Sequence, residues 1–252
     1  MLTPRGRTAK RIHLSMVGRE RELQAFQSLL SQAISGHGSV VFIYGEAGIG
    51  KTRLVEELGR FCEMTGSPVL IGHCLPGAPM PYLPFLEAMR EEGKDGAERC
   101  RELCGAPPDK VMFEMLDWIR SISGRSPLVL VLEDLHWADS ATVQLLHFLS
   151  RNLERDRVLL AATFRPEEIG SEESPHPLAE VLRVMRREGR CKEIDLRLLK
   201  EGDVELLINH MVSGRSHHSF VDTVMKETEG NPLFVIETVN LLLQTKELEK
   251  LD

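Results

Sequence analysis

Apolar positions recur every three to four residues over residues 19–34. Leu23, Phe26, Leu29 and Leu30 fall on one stripe there, which predicts an amphipathic helix. The period then changes. Residues 39–44, Ser-Val-Val-Phe-Ile-Tyr, are the β-branched apolar run of a buried strand, and a glycine-rich turn follows directly. A second helix is predicted from Lys51, carrying Leu54, Leu58 and Phe61 inward. Residues 68–71 read as a short strand, and a proline-rich stretch, 75–84, leads into helical segments that end near residue 123. Residues 127–132 are apolar throughout, as strands covered on both faces are. A helix over 140–153, a strand over 157–163 and a loop over 170–177 follow. A helix ending near 187 and a weaker strand over 191–196 complete the alternation.

Strands alternating with helices predict a parallel sheet with helices on both faces. Beyond Leu199 the pattern is helical only, over 201–211, 220–228 and 232–244, which puts a domain boundary near 198. The expected organisation is a flexible basic tail over 1–15, an α/β domain over 16–198 and a helical domain over 199–252.

Composition narrows the function classes. The 252 residues are 42% apolar and 27% charged, the mix of an ordinary globular protein. With 31 basic against 38 acidic residues the net charge is −7, so a broad nucleic-acid-binding face is disfavoured. No apolar run approaches the roughly 20 residues of a membrane helix. The start carries Arg5, Arg7, Lys10 and Arg11 without an apolar core, unlike a secretory signal. Cysteines stand at 62, 74, 100, 104 and 191, an odd number without CxxC spacing, which argues for reduced thiols in a cytoplasmic protein.

Three motifs carry chemistry. The turn after the first strand reads Gly45-Glu46-Ala47-Gly48-Ile49-Gly50-Lys51-Thr52, a full match to GxxxxGK[ST]. Its glycines let backbone N–H groups converge on a phosphate, and the following helix adds its dipole. Lys51 supplies a point charge to the terminal phosphates, and Thr52 a hydroxyl ligand for Mg²⁺. Such a match arises by chance in a chain of this length on the order of one per cent of the time, so the motif weighs heavily. The third strand ends in Glu133-Asp134, acids placed where open α/β sheets bind ligands. One would complete the Mg²⁺ shell and the other orient or deprotonate water. Thr163-Phe164-Arg165 ends the fourth strand, where an arginine would sense a terminal phosphate. Asp139 is read as a helix cap, His136 as a packed histidine, and His217-His218 as a solvated loop pair.

Taken in order, Val17-Gly18-Arg19-Glu20, GEAGIGKT, LVLEDLHWAD, ATFRPEE and Glu229-Gly-Asn-Pro-Leu-Phe234 resemble the STAND-type signalling ATPases of the AAA+ group. These are the switch domains of large LuxR-like regulators. The resemblance spans about residues 16 to 245, and Pro81-Tyr-Leu-Pro-Phe85 fits it as well. It implies a P-loop NTPase with a five-stranded parallel sheet in order 5-1-4-3-2 and a small all-α lid. ATP or ADP and Mg²⁺ would be bound. Val17, Gly18 and Arg19 would pack on adenine and ribose, the loop 45–52 with Arg53 would hold the phosphates, and Pro232 would touch the base. Thr52, Glu133 and Asp134 would serve the metal, and Arg165 the terminal phosphate. The acidic pair reads Glu-Asp where the common order is Asp-Glu, which leaves open which acid faces the metal. The resemblance also implies that 199–252 is an incomplete lid, with protein partners or further C-terminal effector domains and a nucleotide-dependent oligomer. The lack of a long apolar run argues against membrane association, and the net charge disfavours direct nucleic-acid binding.

The leading expectation is therefore a slowly hydrolysing, Mg²⁺-dependent signalling ATPase. Two other classes compete with it: a nucleotide-dependent DNA-binding protein resembling replication initiators, and a scaffold that holds ADP without turnover. A GTPase would carry an NKxD-like box, and none occurs. A small-molecule kinase would need Arg183, Arg186 and Arg187 as phosphate clamps, which read better as a solvated helix face.

Overall fold

A computed structural model describes residues 16–77, 80–170, 175–212, 214 and 216–245. The basic tail expected over 1–15 lies outside the described residues, as do 171–174 of the expected loop and 246–252 of the expected lid. In chain order the elements are α1 (Glu20–Ile34), β1 (Ser39–Tyr44), α2 (Lys51–Thr65), β2 (Val69–His73), α3 (Leu83–Glu91), α4 (Lys94–Leu103) and α5 (Pro108–Ser123). Then come β3 (Leu128–Glu133), a 3₁₀ turn (Leu135–Trp137), α6 (Ser140–Asn152), β4 (Val158–Phe164), α7 (Pro166–Ile169), α8 (Pro177–Glu188) and β5 (Cys191–Asp195). Three helices follow among the described residues: α9 (Glu201–Val212), α10 (His218–Thr228) and α11 (Pro232–Thr245).

The five strands form one sheet in the order β2-β3-β4-β1-β5, the order the resemblance implies. Every pairing is parallel. Position in the sheet explains composition. The central strands β3 and β4 are buried at every residue, so they read as unbroken apolar runs. The edge strand β5 buries only Ile194 and exposes the charged Lys192, Glu193 and Asp195, which weakens its signal. Parallel pairing brings the carboxyl ends of β1, β3 and β4 to one edge, with Tyr44 opposite Phe164 and Leu132 opposite Ala162.

Close approach fixes how helices seat on the sheet. Gly72 in β2 lies so near α3 that a Cβ there would meet the Pro84 carbonyl oxygen at 1.7 Å. The proline-rich segment before α3 is tied down by the Tyr82 N–H, which donates to Thr142 Oγ1 at 3.0 Å. Helix α6 starts as the sequence predicts: Asp139 caps it by accepting from the Thr142 N–H at 3.0 Å.

The chain divides into two compact units, residues 20–197 and residues 16–19 with 198–245. The second unit has its own core, in which Leu199, Val204, Ile208, Phe220, Val221, Val224, Val235 and Val239 pack together. Residues 16–19 thus group with the helices and not with the sheet, because Gly18, at φ 68°, packs where a Cβ would meet the Asp203 carboxylate carbon at 2.6 Å.

Two smaller expectations are corrected. In the last turns of α2 it is Cys62 that is fully buried and Phe61 that is half-buried, because the inward stripe drifts by one residue over the helix. His218 opens α10 and does not lie in a loop; only His217 precedes the helix. Arg183, Arg186 and Arg187 are exposed, as expected of a solvated face.

Candidate functional site

The glycine-rich turn joins β1 to α2, and its backbone is one that only glycine adopts cheaply. Gly48 and Gly50 have φ of 77° and 101°, and a Cβ at Gly45 would lie 2.5 Å from the Leu196 carbonyl oxygen. Ile49 is buried and pins the turn to the sheet unit, while its N–H donates to the Glu46 carbonyl at 3.3 Å. Lys51 folds back over this turn. Its Nζ donates to the carbonyls of Gly45 at 2.7 Å and Glu46 at 2.8 Å. Burial lowers the Lys51 pKa from its ordinary value, and the nearby Arg165 charge lowers it further; Glu167, Asp134 and Glu168 pull the other way.

The two acids at the end of β3 have different surroundings. Glu133 is buried, and its Oε2 accepts from the Thr52 hydroxyl at 3.1 Å. Burial raises its pKa, a shift that the Thr52 hydrogen bond opposes. Asp134 turns away. Its backbone is left-handed, with φ 58°, and its N–H donates to the buried Thr163 hydroxyl at 3.0 Å. Its Oδ1 lies 3.8 Å from His136 Nε2. The geometry thus separates a pair that the sequence left equivalent: Glu133 is the acid beside Thr52.

Arg165, just past β4, donates from Nη1 to Glu168 Oε1 at 2.7 Å. Its Cζ stands 5.6 Å from the centroid of the Trp137 ring, a cation–π distance. His136 is packed, as the sequence predicts, with its side chain fully buried and tilted against Trp137 at 4.6 Å between centroids. Neither of its ring nitrogens has a hydrogen-bond partner, and the Arg165 Nε is likewise buried without one. Burial lowers the His136 pKa.

Lys51, Thr52, Glu133, Asp134 and Arg165 therefore stand at one edge of the sheet unit. Val17, Gly18, Arg19 and Pro232 belong to the helical unit. Within that unit Arg19 is buried, and Pro232 occupies the first position of α11 behind the cap Asn231, whose Oδ1 accepts from the Leu233 N–H at 3.1 Å. Sequence reasoning quoted Thr163, Trp137 and Glu168 within motifs but gave them no role. Their signal was only adjacency to motif residues. All five cysteines are free thiols: Cys62, Cys74 and Cys100 are buried, Cys191 is half-buried and Cys104 is exposed.

Hard oxygen donors, a hydroxyl and a carboxylate held 3.1 Å apart beside a glycine-lined turn, suit Mg²⁺ with a phosphate chain. A family model described as an AAA ATPase domain matches residues 15–161, more than half of the chain. The chain belongs to the AAA ATPase domain family. It is an AAA+ P-loop ATPase domain, of a kind that binds ATP.

Among curated proteins, the uncharacterized protein R02095 of Rhizobium meliloti (strain 1021) is 28% identical over 190 residues. That match covers 60% of this chain and only 18% of the relative. Among solved structures, Aeropyrum pernix ORC1 in complex with DNA is similar with a TM-score of 0.59 at 18% identity, over 91% of this chain and 61% of that one. A STAND protein with a tetratricopeptide repeat sensor from Pyrococcus horikoshii gives 0.55 at 17% identity, over 90% of this chain and 32% of that one. AMPPCP-bound DnaA from Aquifex aeolicus gives 0.53 at 18% identity, over 89% and 61%. At these identities the structures share the fold. Among the described residues no helix is long and apolar enough to cross a membrane.

Proposed function

We propose that this AAA+ domain hydrolyses Mg²⁺-ATP slowly and serves as the cytoplasmic nucleotide switch of a larger signalling regulator. The observation that carries the hydrolytic reading is the divergence of the two acids, Glu133 toward Thr52 and Asp134 toward His136. Glu133, bonded to Thr52, would share the metal with that hydroxyl. Asp134, turned toward His136, would orient and deprotonate the attacking water. Its side chain is one methylene shorter than the glutamate common at the second position, which supports slow turnover. Mg²⁺, when bound, would neutralise charge on the terminal phosphates. Lys51 would exchange its carbonyl partners for phosphate oxygens, and Arg165 would contact the terminal phosphate. Val17, Gly18, Arg19 and Pro232 would contact the base, a role that rests on the resemblance to STAND ATPases.

The switch reading draws support from the likeness to a STAND protein and from the share of the curated relative that this chain spans, 18%. A replication-initiator reading draws on the likeness to ORC1, but the net charge of −7 speaks against a DNA-binding face. Phosphate release from Mg²⁺-ATP tests the enzyme reading. The wild type is expected to turn over slowly, and Lys51→Ala to lose at least about 100-fold through loss of transition-state charge stabilisation. Tight nucleotide binding with no release by the wild type would instead support a non-hydrolysing scaffold.

A further inference from the structure

The sensor arginine is already engaged. Its Nη1 is held by Glu168 at 2.7 Å and its Cζ stands 5.6 Å from the Trp137 ring centroid, yet its Nε is buried with no partner. A buried orphan donor on a charged group is costly, so this arrangement leaves binding capacity unused. Directly behind the pair stands a second unsatisfied group. His136 is fully buried, both of its ring nitrogens lack partners, and Nε2 is 3.7 Å from Glu168 Oε2 and 3.8 Å from Asp134 Oδ1. Those separations are too long for hydrogen bonds, but a shift of about 1 Å by Glu168 would close one of them. A neutral imidazole with its proton on Nε2 is sufficient as donor.

We propose that Glu168 competes with the terminal phosphate of ATP for Arg165, and that His136 receives the Glu168 carboxylate when the phosphate wins. The inference rests on the reading of Arg165 as the phosphate-contacting residue. A phosphate and a carboxylate on one guanidinium repel each other, so arrival of the third phosphate favours release of Glu168. His136 makes that release less unfavourable, because its unpartnered nitrogen gains an acceptor. ADP brings no group to Arg165 and leaves the Arg165–Glu168 pair in place. Glu168 is therefore a positioning residue that sets how strongly the site prefers ATP to ADP.

Isothermal titration with Mg²⁺ and either ADP or a non-hydrolysable ATP analogue tests this. Glu168→Gln is expected to tighten binding of the analogue about fivefold, the scale of one partly exposed charge pair, and to leave ADP affinity within about twofold. In an Arg165→Ala background the same substitution is expected to change neither. Equal tightening of both nucleotides by Glu168→Gln, or tightening that persists without Arg165, would overturn the competition. Loss of the difference between nucleotides in wild type and all variants would also overturn it, by removing Arg165 as the discriminating contact. Failure of the wild type to bind either nucleotide is a distinguishable result, which would overturn the underlying reading and the competition with it.

Discussion

Two adjacent carboxylates, Glu133 and Asp134, differ in one methylene but far more in direction. The Thr163 hydroxyl accepts from the Asp134 N–H, and the backbone there is left-handed, so the chain turns sharply after β3 and sends the two side chains apart. Opposite kinetic signatures follow. Asp134→Asn should leave ATP binding within about twofold and cut phosphate release about 100-fold, as loss of a general base does. Glu133→Gln should raise the Mg²⁺ concentration needed for half-maximal release about tenfold, because it removes a charged partner from the Thr52 hydroxyl. Titrating Mg²⁺ in both variants separates the roles, and a reversed pattern would exchange them. Lys51, Thr52 and the loop glycines were legible in the sequence because their chemistry is contiguous. The orientation of the acids was not, since it depends on Thr163, 29 residues beyond Asp134. Glu168 was equally hidden. Three residues from Arg165 it reads as a helix-opening acid, and only the folded geometry pairs them.

At the scale of elements, local signals were readable and long-range ones were not. Asp139 announced α6 because capping is settled within one turn. Asn231 and Pro232 open α11 by the same local logic, preceded by Glu229 and Gly230 at φ 51° and 81°. The seat of α3 on β2, by contrast, depends on a glycine that carries no motif. Gly72→Ala would press a methyl group into the Pro84 carbonyl, and neither backbone can yield without shifting its element. We expect a loss of about 3 kcal/mol in folding stability by denaturant unfolding, at the upper end for overpacking. A loss below about 0.5 kcal/mol would mean that α3 is seated less tightly. The drift from Phe61 to Cys62 in α2 shows the resolution of periodicity: it finds a face, but three turns from the helix start it misses by one position.

For the whole molecule, alternation of strand and helix sufficed to predict a parallel sheet, and the resemblance supplied its order, which β2-β3-β4-β1-β5 matches. Alternation does not reveal that residues 16–19 leave the sheet unit to join helices 180 residues later, because Gly18 and Asp203 share no sequence pattern. That grouping gives the helical unit two chain segments, and under the proposed switch it is the unit whose response to nucleotide is read out. The most direct test is hydrogen exchange over α9, α10 and α11 with saturating Mg²⁺ and either ADP or a non-hydrolysable ATP analogue. The account predicts that amide protection in these helices differs between the two nucleotides, and that Lys51→Ala abolishes the difference. Identical exchange with both nucleotides demonstrably bound would contradict it.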